Sequence, residues 1–179
     1  VKPKYEHCID KLRTSSPLYF HIVGRDDSQS AEDLLARIKD ALDSSSYAVF
    51  DATGGNANVS VEFGYAEAKE VERALYLSTR KSKAHTGTPP IISDLAGKKQ
   101  NRYTTEKSLL ELLKQLSGQH PYTVRYERAM RSICHRKKGY EVRSLKALAL
   151  KIIHFLDGKQ HRRRNDLVSH LRADNYTEK

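Results

Sequence analysis

The sequence predicts an α/β domain, built on a parallel sheet with helices on both faces, followed by an all-helical domain. Strand-like and helix-like segments alternate along residues 1–118, which is the pattern of parallel strands joined by crossover helices. From Gly118 to Pro121 the sequence reads Gly-Gln-His-Pro, and beyond it the pattern becomes wholly helical. We therefore expect one domain at 1–118 and a second at 119–179, with the second incomplete at its C-terminus.

The first domain is organised around residues 47–66. Tyr47 to Phe50 form a short apolar run that is typical of a buried parallel strand, and Asp51 ends it. The residues that follow are small and include two glycines, so the backbone can turn sharply and approach a ligand closely. In open α/β sheets ligands bind at this edge, outside the carboxyl ends of the strands.

A helix is expected to follow the loop, from about residue 59 to residue 71. Either Asn56 or Asn58 can cap it, because asparagine side chains accept hydrogen bonds from the first free amides of a helix. With a start at Val59, Glu62 lies in or near the first turn. There the partial positive charge of the helix N-terminus favours an ionised carboxylate. First-turn glutamates also occur simply because they stabilise a helix by ~0.3–1 kcal/mol.

The other elements follow from hydrophobic spacing and turn residues. In the first domain we expect helices at 3–14, at 30–43 and from Thr104 or Thr105 to about 116, and strands at 17–23, at 73–78, from Pro90 towards Asp94 and at 101–104. In the second domain we expect helices at 122–136, 145–156 and 163–171, and the start of another near Tyr176. This layout is typical of a helix-turn-helix or winged helix, or equally of an oligomerisation or effector-coupling module.

Charge is distributed unevenly along the chain. Residues 119–179 hold 15 Lys and Arg against 6 Asp and Glu, whereas residues 1–118 hold 17 against 16. The net charges of +9 and +1 point to an anionic partner for the second domain, such as duplex DNA, although solvated cations on helical faces explain the same excess. Arg162, Arg163 and Arg164 are the candidate phosphate contacts, or else a solvated helix start.

Several classes of protein are not indicated. There is no apolar run near 18 residues, so we expect no membrane span. Cys8 and Cys134 have no spacing typical of a metal site, so we expect a reduced, cytoplasmic protein without bound metal. The sequence contains no P-loop and no GxGxxG or GxSxG motif.

The run Asp51-Ala-Thr-Gly, followed by Asn58-Val-Ser-Val-Glu62-Phe-Gly-Tyr-Ala66, resembles a pattern of the nucleoside 2-deoxyribosyltransferase and TIR-like superfamily. The similarity covers roughly residues 15–117. It implies a flavodoxin-like fold that lacks the family's first strand here, and cleavage of N-glycosidic bonds of nucleosides, nucleotides or NAD. Glu62 matches the family's helix-borne glutamate and Asp51 its strand-end aspartate. Related domains of bacterial defence and regulatory proteins share the pattern without all being enzymes.

Glycosidic cleavage passes through an oxocarbenium-like transition state, which a nearby carboxylate stabilises or attacks. Glu62 is the candidate for this role, and Asp51 can accept hydrogen bonds from ribose hydroxyls. Backbone amides along the loop can hold a phosphate. The candidate substrate-binding residues are Thr53, Gly54, Gly55, Asn58, Tyr65 and Asp94. Tyr65 can stack on a base or belong to the core, and Asp94 can reach the same crevice or serve a turn.

Three hypotheses follow for function. In the first, the α/β domain is an enzyme that cleaves NAD or a related nucleotide with Glu62, and needs no further cofactor. In the second, the same pocket is a nucleotide sensor that controls DNA binding by the basic domain. In the third, the chain is a structural interaction module. A homo-oligomer is compatible with each of them.

Overall fold

Seven helices and three strands form the described part of the computed structural model, which comprises residues 1–23, 31–80, 93–156 and Ser169. In chain order these elements are α1 (Lys2–Arg13), α2 (Ala31–Asp43), β1 (Tyr47–Asp51), α3 (Ala57–Ala68), β2 (Glu72–Ser78), α4 (Ser93–Ala96), β3 (Gln100–Tyr103), α5 (Glu106–Gln119), α6 (Pro121–Ile133) and α7 (Tyr140–Leu156). Most of the expected elements are therefore present.

The three strands form one parallel sheet in the order β1-β2-β3. Asp51, the last residue of β1, lies opposite Tyr76 of β2, and Ser78, the last residue of β2, lies opposite Tyr103 of β3. The carboxyl ends of all three strands consequently meet at one edge. The prediction of an α/β fold with a parallel sheet is confirmed, and this sheet is compatible with a flavodoxin-like core.

A hydrophobic core packs α2, α3 and α4 against the sheet. Ala48 and Phe50 of β1 are buried, and the Phe50 ring meets the Phe63 ring of α3 edge-on with centroids 5.4 Å apart. The other buried members of this core are Leu42, Ala52, Ala66, Leu75, Leu77 and Leu95. Burial of these side chains from strand and helix together holds the end of β1 and the start of α3 in a fixed arrangement.

The chain divides into two compact units. Unit 1 comprises residues 1–6 and 22–112, and unit 2 comprises residues 7–21 and 113–179. Unit 1 contains the sheet. In the described part of unit 2, α6 and α7 form a core from Tyr126, Met130 and Leu150. Residues 7–21 thus group with the helical unit, where the sequence placed them in the α/β domain.

The strand expected at residues 17–23 is wrong, because this segment is irregular. The local polar groups of the segment are used in other ways. Pro17 has no amide hydrogen, and the Leu18 amide donates to the Ser16 hydroxyl at 3.1 Å. The Ser16 carbonyl lies 2.9 Å from Nε2 of His154. The start of this segment therefore has its hydrogen bonds without a neighbouring strand.

The expected helix-turn-helix is not confirmed. The helices expected at 122–136 and 145–156 correspond to α6 and α7. The segment expected to contain the third helix, with Arg162, Arg163 and Arg164, lies outside the described residues except for Ser169. Residues 90–92 of the strand expected before Asp94 lie outside them as well.

Candidate functional site

The loop between β1 and α3 turns on two glycines. Gly54 and Gly55 have φ angles of +90° and +68°, in the left-handed region that favours glycine. The Gly55 amide donates to the Ala52 carbonyl at 3.3 Å and closes the turn. A Cβ atom added at Gly54 would meet nothing within 4 Å. Gly54 is therefore required by backbone conformation rather than by crowding, and the space beside it is open.

Thr53 joins this loop to the neighbouring strand. Its hydroxyl accepts a hydrogen bond from the Ser78 amide at 2.8 Å, and the adjacent Ala52 amide donates to the Tyr76 carbonyl at 2.9 Å. The Thr53 amide in turn donates to Oδ1 of Asp51 at 2.9 Å. These bonds bring Asp51 and Thr53 together and hold the start of the loop at the ends of β1 and β2.

Two tyrosines occupy the other oxygen of Asp51. The hydroxyl of Tyr5, from α1, donates to Oδ2 at 2.8 Å, and the hydroxyl of Tyr103, from β3, donates to the same atom at 2.7 Å. Asp51 is half-buried and accepts three hydrogen bonds in all. The carboxylate expected to meet a ribose is thus already bonded within the protein. Tyr5, Tyr103 and Ser78 were not among the predicted site residues.

The environment keeps both tyrosines protonated. Burial, and next the charge of Asp51, raises the pKa of the Tyr5 phenol well above its usual range. Burial, and next the hydrogen bond to Asp51, likewise raises the pKa of Tyr103, although hydrogen bonds with Thr53 and Ser78 oppose the shift. A phenolate beside this carboxylate would be both desolvated and repelled. The two hydroxyls therefore remain hydrogen-bond donors to Asp51.

Helix α3 begins two residues earlier than expected, at Ala57, with Asn56 as its cap. The Asn56 side chain accepts from the Asn58 amide at 3.0 Å, so of the two possible caps it is Asn56 that serves. Glu62 is then the sixth residue of the helix, and the first turn holds no acidic residue. Glu62, expected in or near the first turn, therefore lies just beyond it, and the helix dipole acts on it only weakly, because its effect falls off within one turn.

Glu62 instead lies in a partly desolvated position. Its side chain is half-buried, and burial raises the pKa of its carboxyl. Among the described residues nothing forms a hydrogen bond or ion pair with it. Glu67, five residues further along the same helix, differs in all three respects. It is exposed, it bonds Lys98 at 2.9 Å and Arg73 at 2.8 Å, and those bonds lower its pKa.

Tyr65 contacts the end of α2. Its hydroxyl lies 3.3 Å and 3.4 Å from the two Asp43 carboxylate oxygens, and the ammonium groups of Lys39 and Lys69 lie 5.7 Å and 5.4 Å from its ring centre. The ring also packs against the core. Of the two expected uses of Tyr65, these contacts favour the structural one.

The remaining candidates are placed as follows. Asn58 is exposed in the first turn of α3. Asp94 lies in the short helix α4 and not at a strand end, and its side chain lies outside the described residues, as do Arg162, Arg163 and Arg164. The expectation that Asp94 ends a strand is therefore wrong, because the chain is already helical at Ser93.

No protein-family model, curated protein or solved structure matches this chain, so its resemblance to the deoxyribosyltransferase and TIR-like superfamily stays a prediction. Over the described ranges, no group of three His, Cys, Asp or Glu side chains is arranged to hold a metal ion. Within the same part of the chain, no helix combines the length and apolar character needed to cross a membrane.

Proposed function

We propose that unit 1 is a flavodoxin-like domain that binds a nucleotide at the carboxyl edge of its sheet. We further propose that it cleaves an N-glycosidic bond of NAD or a related nucleotide with Glu62. The observation that carries this proposal is the state of Glu62: a half-buried carboxylate without a partner among the described residues, on the helix that follows the strand-end loop. A desolvated carboxylate lowers the stability of a fold, and this cost supports the proposal that Glu62 acts on a ligand.

The raised pKa of Glu62 adjusts the chemistry expected of it. When ionised, the carboxylate stabilises the positive charge that develops at the anomeric carbon, or attacks that carbon. Because burial raises its pKa, the same group also holds a proton at higher pH than an exposed glutamate does. Glu62 therefore suits a reaction in which a base departs from a sugar and water or another acceptor replaces it.

The loop supplies the binding contribution in this proposal. Gly54 and Gly55 turn the backbone at the strand edge, and the space beside Gly54 is open. The Gly55 amide is bonded to the Ala52 carbonyl, so of these two amides the Gly54 amide is the one that the loop offers to a ligand. Such an amide, with the first turn of α3, suits a phosphate group. Asp51 then acts chiefly as a positioning residue, since its Oδ1 holds the Thr53 amide. A ribose hydroxyl reaches Oδ2 only by replacing the hydroxyl of Tyr5 or Tyr103.

Free-base release is the direct test of the enzymatic role. The purified chain is incubated with NAD and a panel of nucleotides and deoxynucleosides, and the released base is quantified. We expect turnover by the wild type and a loss of ~10²–10³-fold in Glu62→Gln, the size found for a single electrostatic stabiliser. Glu67→Gln is the matched control, because it makes the same chemical change on the same helix at an exposed, ion-paired position.

The outcomes separate the possibilities. Equal losses in the Glu62 and Glu67 variants would indicate damage to α3 rather than a catalytic role. Full turnover in Glu62→Gln would contradict the role proposed for Glu62. Binding of a nucleotide without any turnover would support the nucleotide-binding site and contradict the enzymatic role.

A second function, a nucleotide sensor that controls DNA binding by the basic helices, is favoured by one observation. Both carboxylate oxygens of Asp51 accept hydrogen bonds within the protein, from Tyr5, Tyr103 and Thr53. A strand-end carboxylate engaged in this way supports a fixed binding loop more than it supports chemistry. The sensor requires that a nucleotide raise the melting temperature without being consumed, and that it change the affinity of the chain for DNA.

A further inference from the structure

Helix α6 carries three arginines on the side that faces away from the core of unit 2. Arg125, Arg128 and Arg131 are exposed, whereas Tyr126 and Met130 are buried. Residues two positions apart on an α-helix are separated by about 200° around its axis. Arg128 therefore lies opposite both Tyr126 and Met130, with the other two arginines beside it. We call these three residues the α6 arginine face.

None of the three arginines has an ion-pair or hydrogen-bond partner for its side chain among the described residues. The two acidic residues between positions 119 and 156 are already paired with lysines. Glu127 bonds Lys146 at 3.0 Å, and Glu141 lies 3.7 Å from Lys137. Residues 119–156 contain nine Lys and Arg against these two glutamates, an excess of seven positive charges. The positive field at the α6 arginine face is consequently not neutralised by neighbouring side chains in this part of the chain.

We propose that the α6 arginine face binds the phosphate backbone of duplex DNA. Arg125 and Arg131 are separated by six residues, or about 9 Å along the helix axis. Duplex DNA carries one charge per ~1.7 Å of its axis, so this span faces several phosphates. One guanidinium group can donate two parallel hydrogen bonds to a phosphate, which makes arginine better suited to the contact than lysine. The proposal rests on the second function given above and assigns its DNA contact to described residues.

The packing of α6 argues for DNA over an anionic membrane surface. A helix that binds at a membrane interface places an apolar side into the lipid. In α6 the buried apolar side consists of Tyr126 and Met130, which are 9% and 3% exposed because they pack in the core with Leu150. Three other apolar side chains of α6 are exposed: Tyr122, Val124 and Ile133. At 100° per residue Val124 lies among the arginines, on the opposite side of the axis from Tyr122 and Ile133, so the three form no single apolar side that could enter lipid. The arginines therefore suit the backbone of a nucleic acid.

The test measures the salt dependence of binding by the full chain to a mixed-sequence DNA duplex. Changing all three arginines of the face to alanine removes three exposed side chains that have no partner among the described residues, so the fold is preserved, and circular dichroism checks this. The charge-matched control changes three exposed cations of unit 1 to alanine: Lys99, Arg102 and Lys107. A third variant changes the three arginines that the sequence singled out: Arg162, Arg163 and Arg164.

For the face variant we expect the slope of log affinity against log salt to fall by about 3, at roughly 0.9 for each phosphate that the protein no longer neutralises. The unit 1 control should retain most of the wild-type slope. An unchanged slope in the face variant, with a fall in the variant at 162–164, would overturn the assignment to α6 and leave DNA binding in place. An equal fall of the slope in the face variant and in the unit 1 control would show that binding depends only on net charge. That result would also overturn the assignment to α6.

Two results would overturn the proposal in other ways. If the wild type did not bind DNA at low salt, both the role proposed for the α6 arginine face and the DNA-binding function would be contradicted. Weaker binding of the face variant to phosphatidylserine vesicles, with DNA binding unchanged, would assign the surface to a membrane instead.

Discussion

Removing the Tyr5 hydroxyl tests whether the network around Asp51 stabilises unit 1. Tyr5→Phe deletes one donor to Oδ2 and leaves the Tyr103 hydroxyl on that atom and the Thr53 amide on Oδ1. A hydrogen bond to a charged group contributes about 1.5–3 kcal/mol. We expect Tyr5→Phe to lower the free energy of unfolding of unit 1 by about that amount. Tyr103→Phe should lower it by a similar amount, because its hydroxyl donates to the same oxygen at 2.7 Å.

The double variant gives the sharper result. With one tyrosine changed, Oδ2 keeps a donor, but with both changed a half-buried carboxylate oxygen is left without one. The double variant should therefore cost more than the sum of the single variants, by at least ~0.5 kcal/mol, the lower end for residues in one network. Simple additivity would contradict an energetic coupling of the two hydroxyls through Asp51.

Native-state hydrogen exchange of peptides from β1 and β2 provides the measurement, since it reports on unit 1 separately from unit 2. Tyr19→Phe is the control, because Tyr19 lies in unit 2 and is 55% exposed. We expect that control to stay within ~0.5 kcal/mol of the wild type. If Tyr5→Phe changes exchange no more than Tyr19→Phe does, the stabilising role of the network is refuted.

Two further predictions concern pH. Burial raises the pKa of the Glu62 carboxyl above its unfolded value of 4.5, so the folded state loses stability as pH rises through the folded pKa. Glu62→Gln should therefore have a larger free energy of unfolding than the wild type at pH 7. This difference in free energy should vanish below about pH 4. Burial also raises the pKa of Tyr76 from 10.0 to about 12, so the native state keeps a proton that the unfolded chain releases. Stability should fall from about pH 10 upwards, less steeply in Tyr76→Phe, and urea titrations across each pH range check both expectations.

Hydrophobic spacing in the sequence predicted those strands and helices whose formation depends on neighbouring residues. The apolar run before Asp51 is β1, and the spacing of leucines between residues 109 and 116 belongs to α5. Local pattern does not determine the first residue of α3, because both Asn56 and Asn58 can cap a helix. The structure assigns the cap to Asn56, and this shift of two residues moves Glu62 out of the first turn. Small errors at a helix start thus change the electrostatics of a candidate site.

The partners of Asp51 could not be predicted from local pattern. Tyr5 and Tyr103 are 46 and 52 residues away in the sequence, and neither belongs to a motif. Their positions follow from the packing of α1 and from the pairing of β3 with β2, both of which depend on the whole fold. The sequence identified Asp51 by its place at a strand end, but only three-dimensional structure shows that its oxygens are already bonded.

Amide chemical shifts show whether a nucleotide binds at the carboxyl edge of β1. NAD and the nucleotide panel are titrated into ¹⁵N-labelled Glu62→Gln protein, so that turnover does not consume the ligand. We expect one ligand to shift the amides of Gly54, Gly55 and Asn58 in a saturable way. Saturable shifts confined to other residues, or none with any nucleotide, would contradict binding at this edge.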